Sequence, residues 1–464
     1  MDTHPLMTIG ALDGRYRNKL DALAPLVSEF GLLRYRVTVE CAWYAHLAGA
    51  PQVTELPELS GLQAAALAEI VDEFSLTHAQ RIKAIEATTN HDVKAVEYFV
   101  KERLSEIQGL APFIEFVHFA CTSEDINNLA YALMLKDARE HVADQMATVV
   151  EQIDILAQSS ADLAMLSRTH GQAASPTTLG KELANFAHRL ARQLGQFRDV
   201  ELLGKMNGAV GNYNAHVVAY PDIDWPALSS EFVEGLELRI NPYTTQIEPH
   251  DYIAELFHAL ARFNRVLLDF DRDIWSYIAI NYFTQARVEG ETGSSTMPHK
   301  INPIDFENSE GNLGVANALL EHMASKLQVS RWQRDLSDST VLRNIGSALG
   351  HCSVAYQATL KGMGRLQVNS EAITTDLESS WEVLAEAVQT VMRKHGVSEP
   401  YEQLKRATRG KRMDRTLFLE VLDTVELPDD ARRALMQLTP GQYIGIADRL
   451  AQNRIVGPGM REDD

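Results

Sequence analysis

The run from Gly290 to Pro303, GETGSSTMPHKINP, places two hydroxyls, a cation and two glycines within one short stretch. Ser294 and Ser295 offer oxygens that could take a proton, Lys300 offers a positive charge, and Gly290 and Gly293 suit a loop that moves over a site. Pro303 fits the first turn of a new helix, whose free amides would stabilise an anion. A lid over an anionic substrate and a polar link between helices both suit this composition. A second stretch, RTHGQAASPTTLGKE from Arg168 to Glu182, contributes His170, a candidate proton carrier because imidazole changes charge near neutral pH. Its neighbours Thr169, Gln172, Ser175 and Thr177 suit either a polar ligand or a helix cap. In HFACTSEDINN, His118 to Asn128, the TSED tetrad reads as a capping box in which Thr122 or Ser123 caps and an acidic residue reaches back. A cap leaves Asn127 and Asn128 unexplained. DGRY (13–16) and TTNHD (88–92) are smaller polar clusters in apolar surroundings. KLQVSRWQRDLSDSTVLR (326–343) gathers Lys326, Arg331, Arg334 and Arg343, either as a salt-bridged face with Arg331 and Asp335 paired or as an anion clamp.

Long helices are the elements expected to position these groups. Glycine and proline, which interrupt helices, are missing between Pro112 and Gly171, from His250 to Glu289, from Val315 to Ile345 and from Arg365 to His395. Leu129, Leu133, Ala138, Val142, Met146, Val149, Ile153 and Leu156 recur three to five residues apart, which lays one apolar stripe along a helix face. Rods of that length pack as bundles, often across subunit boundaries. Strand signals are scarce and short, and residues 208–247 form the main non-helical interruption. The expectation is an all-α chain in three parts: N-terminal helices over 1–111, a central long-helix bundle over 112–363, and a smaller C-terminal helical part over 364–464.

The 464 residues are 45% hydrophobic and 23% charged, the profile of a foldable globular chain. With 43 basic against 63 acidic residues the formal charge is −20, which disfavours nucleic acid and anionic membranes as partners. Three dispersed cysteines, Cys41, Cys121 and Cys352, exclude a disulfide framework and a zinc ribbon and fit a reducing compartment. No apolar run is long enough to span a bilayer and the opening residues do not read as a secretion signal, so a cytoplasmic protein is expected. Dinucleotide-binding, P-loop, zinc-protease and nucleophile-elbow signatures are all missing.

Taken together, TSEDINN (122–128), RTHGQ (168–172) and GSSTMPHKINP (293–303) resemble the signature of the fumarase/aspartase superfamily, whose members eliminate fumarate or a relative of it from a substituted succinate. His299 before Lys300 is a further marker. Fumarases and aspartases typically carry glycine there and argininosuccinate lyases glutamine, so histidine points to the branch acting on succinylated purine nucleotides, or to carboxymuconate cycloisomerases. DGRY, TTNHDVKAVEY, NGAVGNYNAH, QIEPHDYIAELF and RWQRDLSDSTVLRN are similar to the bacterial purine-nucleotide branch. WEVLAE and TRGKR are also similar to it in a C-terminal region that otherwise carries little signal. Ala173 departs from relatives that often have proline after THGQ, which removes no functional group.

The resemblance implies an all-α, three-domain fold, a homotetramer with active sites shared between subunits, and no metal or organic cofactor, because the substrate carboxylate accepts the electrons. It implies cleavage of adenylosuccinate to AMP and fumarate, and of SAICAR to AICAR. By position in the motifs, Ser294 corresponds to the base and His170 to the general acid, with Ser295 an alternative for the base. Thr122, Ser123, Lys300 and Asn302 correspond to ligands of the succinyl carboxylates. Arg15, Tyr16, Asn90, His91, Asp92, Gln246, Ile301, Asn308, Arg334, Ser339, Thr340, Val341, Leu342 and Arg343 complete the implied substrate contacts. Another lyase of the superfamily, or a catalytically silent relative that keeps the fold, are the competing readings.

Overall fold

The computed structural model describes residues 7–287, 297, 300–409 and 413–453. Its main elements are helices, the longest being Ser123–Ser159, Asp251–Ala279 and Ile304–Leu327. The stripe expected on the first of these is present: Leu133 and Leu156 are half-buried, and its other six members are buried. Among the described residues the strands pair only two at a time: Ala164–Thr169 with Gln172–Thr178, Leu203–Gly204 with Arg239–Ile240, and Phe283–Gln285 with Leu366–Val368.

None of the four stretches free of glycine and proline is one helix throughout, and two of them hold more than one α-helix. Between Val315 and Ile345 the helix ends at Leu327, and a short helix, Ser337–Leu342, follows a non-helical turn. Tertiary bonds hold that turn, since the Gln246 amide donates to the Gln333 carbonyl at 3.3 Å and Arg334 pairs with Glu124 at 3.0 Å. From Arg365 to His395 the chain forms a strand, a helix at Ser370–Glu378, a 3-10 turn and a helix at Ala385–Lys394. Conversely, Gly346 and Gly362 lie inside the helix Ile345–Met363. A Cβ on Gly346 would fall 2.7 Å from the Val27 carbonyl, and one on Gly362 would fall 2.9 Å from the Phe306 ring. Glycine there serves close approach, not interruption.

Contacts divide the chain into two units, each discontinuous in sequence. The first comprises 1–145, 196–264 and 311–355. In it the helix Glu29–Ala48 contributes Trp43, which is fully buried, lies edge-on to Phe232 at 4.9 Å and donates its indole N–H to the Phe119 carbonyl at 3.1 Å. That bond holds the segment leading into Thr122. The second unit comprises 146–195, 265–310 and 356–464. Its core includes Leu377, Leu384, Val388, Met392, Phe418 and Leu422 from the C-terminal helices, together with Leu166 from the first strand. Among the described residues no helix is long and apolar enough to cross a membrane.

Candidate functional site

In the first unit, the N-terminus of the helix Ser123–Ser159 is fixed by Asp125. One carboxylate oxygen accepts from the Thr122 amide at 2.8 Å, the return half of a capping box. The other faces Lys205 Nζ at 2.9 Å, with both side chains fully buried, and also accepts from the Asn207 amide at 3.0 Å. A buried ion pair is tolerable only when its remaining protons and lone pairs find partners. Lys205 Nζ finds them in the carbonyls of Gly208 at 3.1 Å and Gln246 at 2.9 Å. Asn128 adds a two-way bond to the Lys205 backbone at 2.8 and 3.0 Å. The structure thereby brings Thr122, Ser123 and Gln246 into one neighbourhood.

Asn127, the other residue that a cap leaves unexplained, begins a polar chain. Its amide donates to Glu124 at 3.0 Å, and its carbonyl accepts from Arg36 Nε at 2.8 Å. Arg36, almost fully buried, pairs onward with Asp92 at 2.8 Å. Arg343 reaches the same Asp92 at 3.2 Å and Glu29 at 2.8 Å. Burial pushes the Asp92 carboxyl up, but Arg36, the Val93 amide and Arg343 outweigh it and hold the group below the usual carboxylate range. Arg334 closes the chain on the other side, 3.0 Å from Glu124 and 3.3 Å from Gln246 Oε1. Four distant motifs therefore share one network, and Arg334 and Arg343 hold carboxylates where an anion clamp is expected.

The remaining first-unit candidates surround this network. Asn90, left-handed at φ 52°, ends the helix Leu76–Thr89, and His91 caps the next helix by accepting from the Lys94 amide at 3.2 Å. Ser339, Thr340, Val341 and Leu342 lie on the short helix before Arg343, where Leu342 is buried and the Ser339 amide donates to Asp338 at 2.6 Å. Arg15 and Tyr16 lie in an N-terminal turn, with the guanidinium 5.9 Å from the ring centroid. Arg331 pairs with Asp335 at 3.2 Å, as a salt-bridged face requires, but in a turn and not on a helix.

In the second unit His170 occupies the tip of a two-stranded hairpin in which Thr169 faces Gln172. The connecting residues His170 and Gly171 both have positive φ, 54° and 75°. That is the pattern of a mirror-image two-residue turn, whose twist matches the strands it joins. His170 is exposed on the single chain. Lys300 is exposed, its amide donating to the Met297 carbonyl at 3.0 Å, and the Ile301 carbonyl accepts from Gln285 at 3.1 Å. Asn302 follows, and Asn308 is half-buried on the helix Ile304–Leu327. Ser294, Ser295 and His299 lie outside the described residues.

Sequence reasoning did not single out Arg36 or Lys205, and it read Glu124 and Asp125 only as alternatives for the acidic residue of a helix cap, a part that Asp125 plays. The available signal was charge inside apolar runs, Arg36 within FGLLRYRVTVE and Lys205 beside the NGAVGNYNAH block. Among the described residues no group of three or more His, Cys, Asp or Glu side chains is placed to hold a metal ion.

Comparison with known proteins places this geometry in a lineage. A family profile described as "Lyase" matches residues 14–317, and one described as "Adenylosuccinate lyase C-terminal" matches residues 330–444. Adenylosuccinate lyase from Escherichia coli K12 is 55% identical over 448 residues, spanning 96% of this chain and 98% of that protein. The Haemophilus influenzae enzyme of the same name is 53% identical, spanning 97% of this chain and 99% of that protein. Among solved structures, 3-carboxy-cis,cis-muconate lactonizing enzyme from Pseudomonas putida superposes with a TM-score of 0.72 at 20% identity, covering 93% of this chain and 95% of its own. Fumarate lyase from Mesorhizobium sp. BNC1 gives 0.73 at 19%, covering 93% of this chain and 97% of its own. These two share the fold, whereas identity above one half along nearly the whole length shows that the chain belongs to the adenylosuccinate lyase family of the fumarase/aspartase superfamily.

Proposed function

We propose that the chain cleaves adenylosuccinate reversibly to AMP and fumarate, and makes the same cut in SAICAR to leave AICAR. The observation that carries this reading is the 55% identity to an adenylosuccinate lyase across 96% of the chain. In the proposed reaction Ser294 takes the proton from the carbon next to a succinyl carboxylate. Negative charge spreads into that carboxylate, and the carbon–nitrogen bond breaks as His170 protonates the leaving nitrogen, so the electron pair ends in the fumarate double bond. Lys300 and amides of its loop stabilise the developing charge. Thr122, Ser123 and Asn302 hold the carboxylates, and the Asp92, Gln246, Arg334 and Arg343 network receives the nucleotide. The same reading makes the enzyme a cytoplasmic homotetramer with shared sites, and the exposure of His170 on the single chain supports that arrangement.

Fumarate release from adenylosuccinate and SAICAR tests the activity, and absence of turnover on both would overturn it. His170→Ala is expected to lower kcat by about 10²- to 10⁴-fold with helical circular dichroism unchanged; near-normal turnover removes His170 from the mechanism. Ser294→Ala is expected to bind adenylosuccinate without cleaving it. Lost binding instead would make Ser294 a ligand and not the base.

A further inference from the structure

The C-terminal segment, including the WEVLAE stretch, has no part in the chemistry proposed above, yet it grips the hairpin that carries His170. Leu166, on the first strand, is buried with Leu377 and Leu384 of that segment. Two residues before the tip on the same strand, Arg168 donates to Asp376 of the helix Ser370–Glu378. Asp376 also accepts from the Tyr282 hydroxyl at 2.5 Å. On the second strand Ser175 donates to Glu386 of the helix Ala385–Lys394, and Glu386 accepts from the Tyr443 hydroxyl at 3.0 Å. Each strand is therefore tied to a different helix by one carboxylate, and each carboxylate is steadied by a tyrosine. Burial, followed by its carboxylate partner, pushes each of these tyrosines up to about 12, so both hydroxyls remain donors across the neutral range.

The need for such ties lies in the tip itself. A side chain other than glycine is disfavoured in the left-handed region, so the turn holds its shape only if the flanking strands are fixed. Two bonds at different heights on opposite strands resist both sliding and rotation of the hairpin. A single one would leave a pivot.

We propose that Asp376 and Glu386 are positioning residues for His170, setting where its imidazole points through Arg168 and Ser175 without touching substrate. This rests on the proton-donor role proposed for His170. Asp376→Asn and Glu386→Gln are each expected to lower kcat for adenylosuccinate by about 10- to 100-fold, the range for misplacing a reacting group by an ångström, while KM stays within about twofold.

The deciding measurement is a double-mutant cycle with His170→Ala. Once the imidazole is gone its aim is irrelevant, so either carboxylate change is expected to leave kcat of the His170→Ala enzyme unaltered. An equal further loss in that background would show a merely structural role and overturn the inference. Wild-type kcat in both carboxylate variants would overturn it as well. A near-normal His170→Ala enzyme would instead overturn the proton-donor reading beneath it. Should a carboxylate variant lose helical signal, Tyr282→Phe loosens the Asp376 tie, and Ser175→Ala and Tyr443→Phe loosen the Glu386 tie, without altering a C-terminal helix carboxylate, and the cycle is read from them with the same outcomes.

Discussion

His118 stands in the left-handed region at φ 62°, four positions before Thr122, with its Nδ1 2.7 Å from a Glu40 oxygen. Burial alone would lower its pKa. Glu40, then Glu97 and Asp125, outweigh burial and raise it above the ordinary value. The folded protein thus binds this proton more tightly than the unfolded chain does. The stabilisation is complete below the unfolded value of about 6.5 and disappears as pH rises through the folded one. Urea midpoints measured from about pH 6 to pH 9 are expected to fall for the wild type, with this part of the slope missing in His118→Asn. An identical slope in the variant would place the titration elsewhere. Little of this pair was legible beforehand, because Glu40 and His118 are far apart in the sequence and only the fold makes them neighbours.

Three helices meet at Asp271, which is almost fully buried and shares a polar cluster with Thr359 at 3.1 Å and with Ser309, itself 2.8 Å from Thr359. Burial raises the Asp271 pKa well above the carboxylate range, and the two hydroxyls only moderate it. Stability from such a group is present in acid and lost as pH rises through its folded value. Asp271→Asn, which keeps a polar side chain but cannot ionise, is expected to melt above the wild type at alkaline pH, with the difference shrinking toward acid. Asp271→Leu, which removes the acceptor that Ser309 and Thr359 share and leaves them only each other, is expected to cost about 1–3 kcal/mol. The helices themselves were legible from missing glycine and proline and from the apolar stripe beginning at Leu129. Their ends were less so: the stop at Leu327 depends on partners such as Gln246 and Glu124, and Gly346 and Gly362 mark close packing where breaks are expected. The hairpin was hidden for a local reason. Its turn reads His-Gly, where Asn-Gly or Asp-Gly would announce a mirror-image turn. The motif residues of the site were legible as types, whereas the buried charges that hold them were not.

Across the molecule, apolar side chains remain open on the long helices, including Ile155 at 52%, Trp275 at 46% and Val315 at 47%. If His170 and Ser294 of one site come from different copies, mixing the impaired His170→Ala and Ser294→Ala chains after mild dissociation is expected to restore fumarate release toward the wild-type rate. Each variant alone would stay far below it. No recovery in confirmed mixed tetramers would place both groups in one copy. The net charge of −20 adds a constraint, since an anionic substrate must find local cations in a repelling field. Two of the cations proposed to receive the nucleotide are already engaged: Arg334 holds Glu124, and Arg343 holds Glu29 and Asp92. An anion binding there competes with a resident carboxylate, so affinity is a difference between two partnerships. Selection by displacement favours guests that out-compete a carboxylate, such as a doubly charged phosphate, and lets them leave again when the resident swings back.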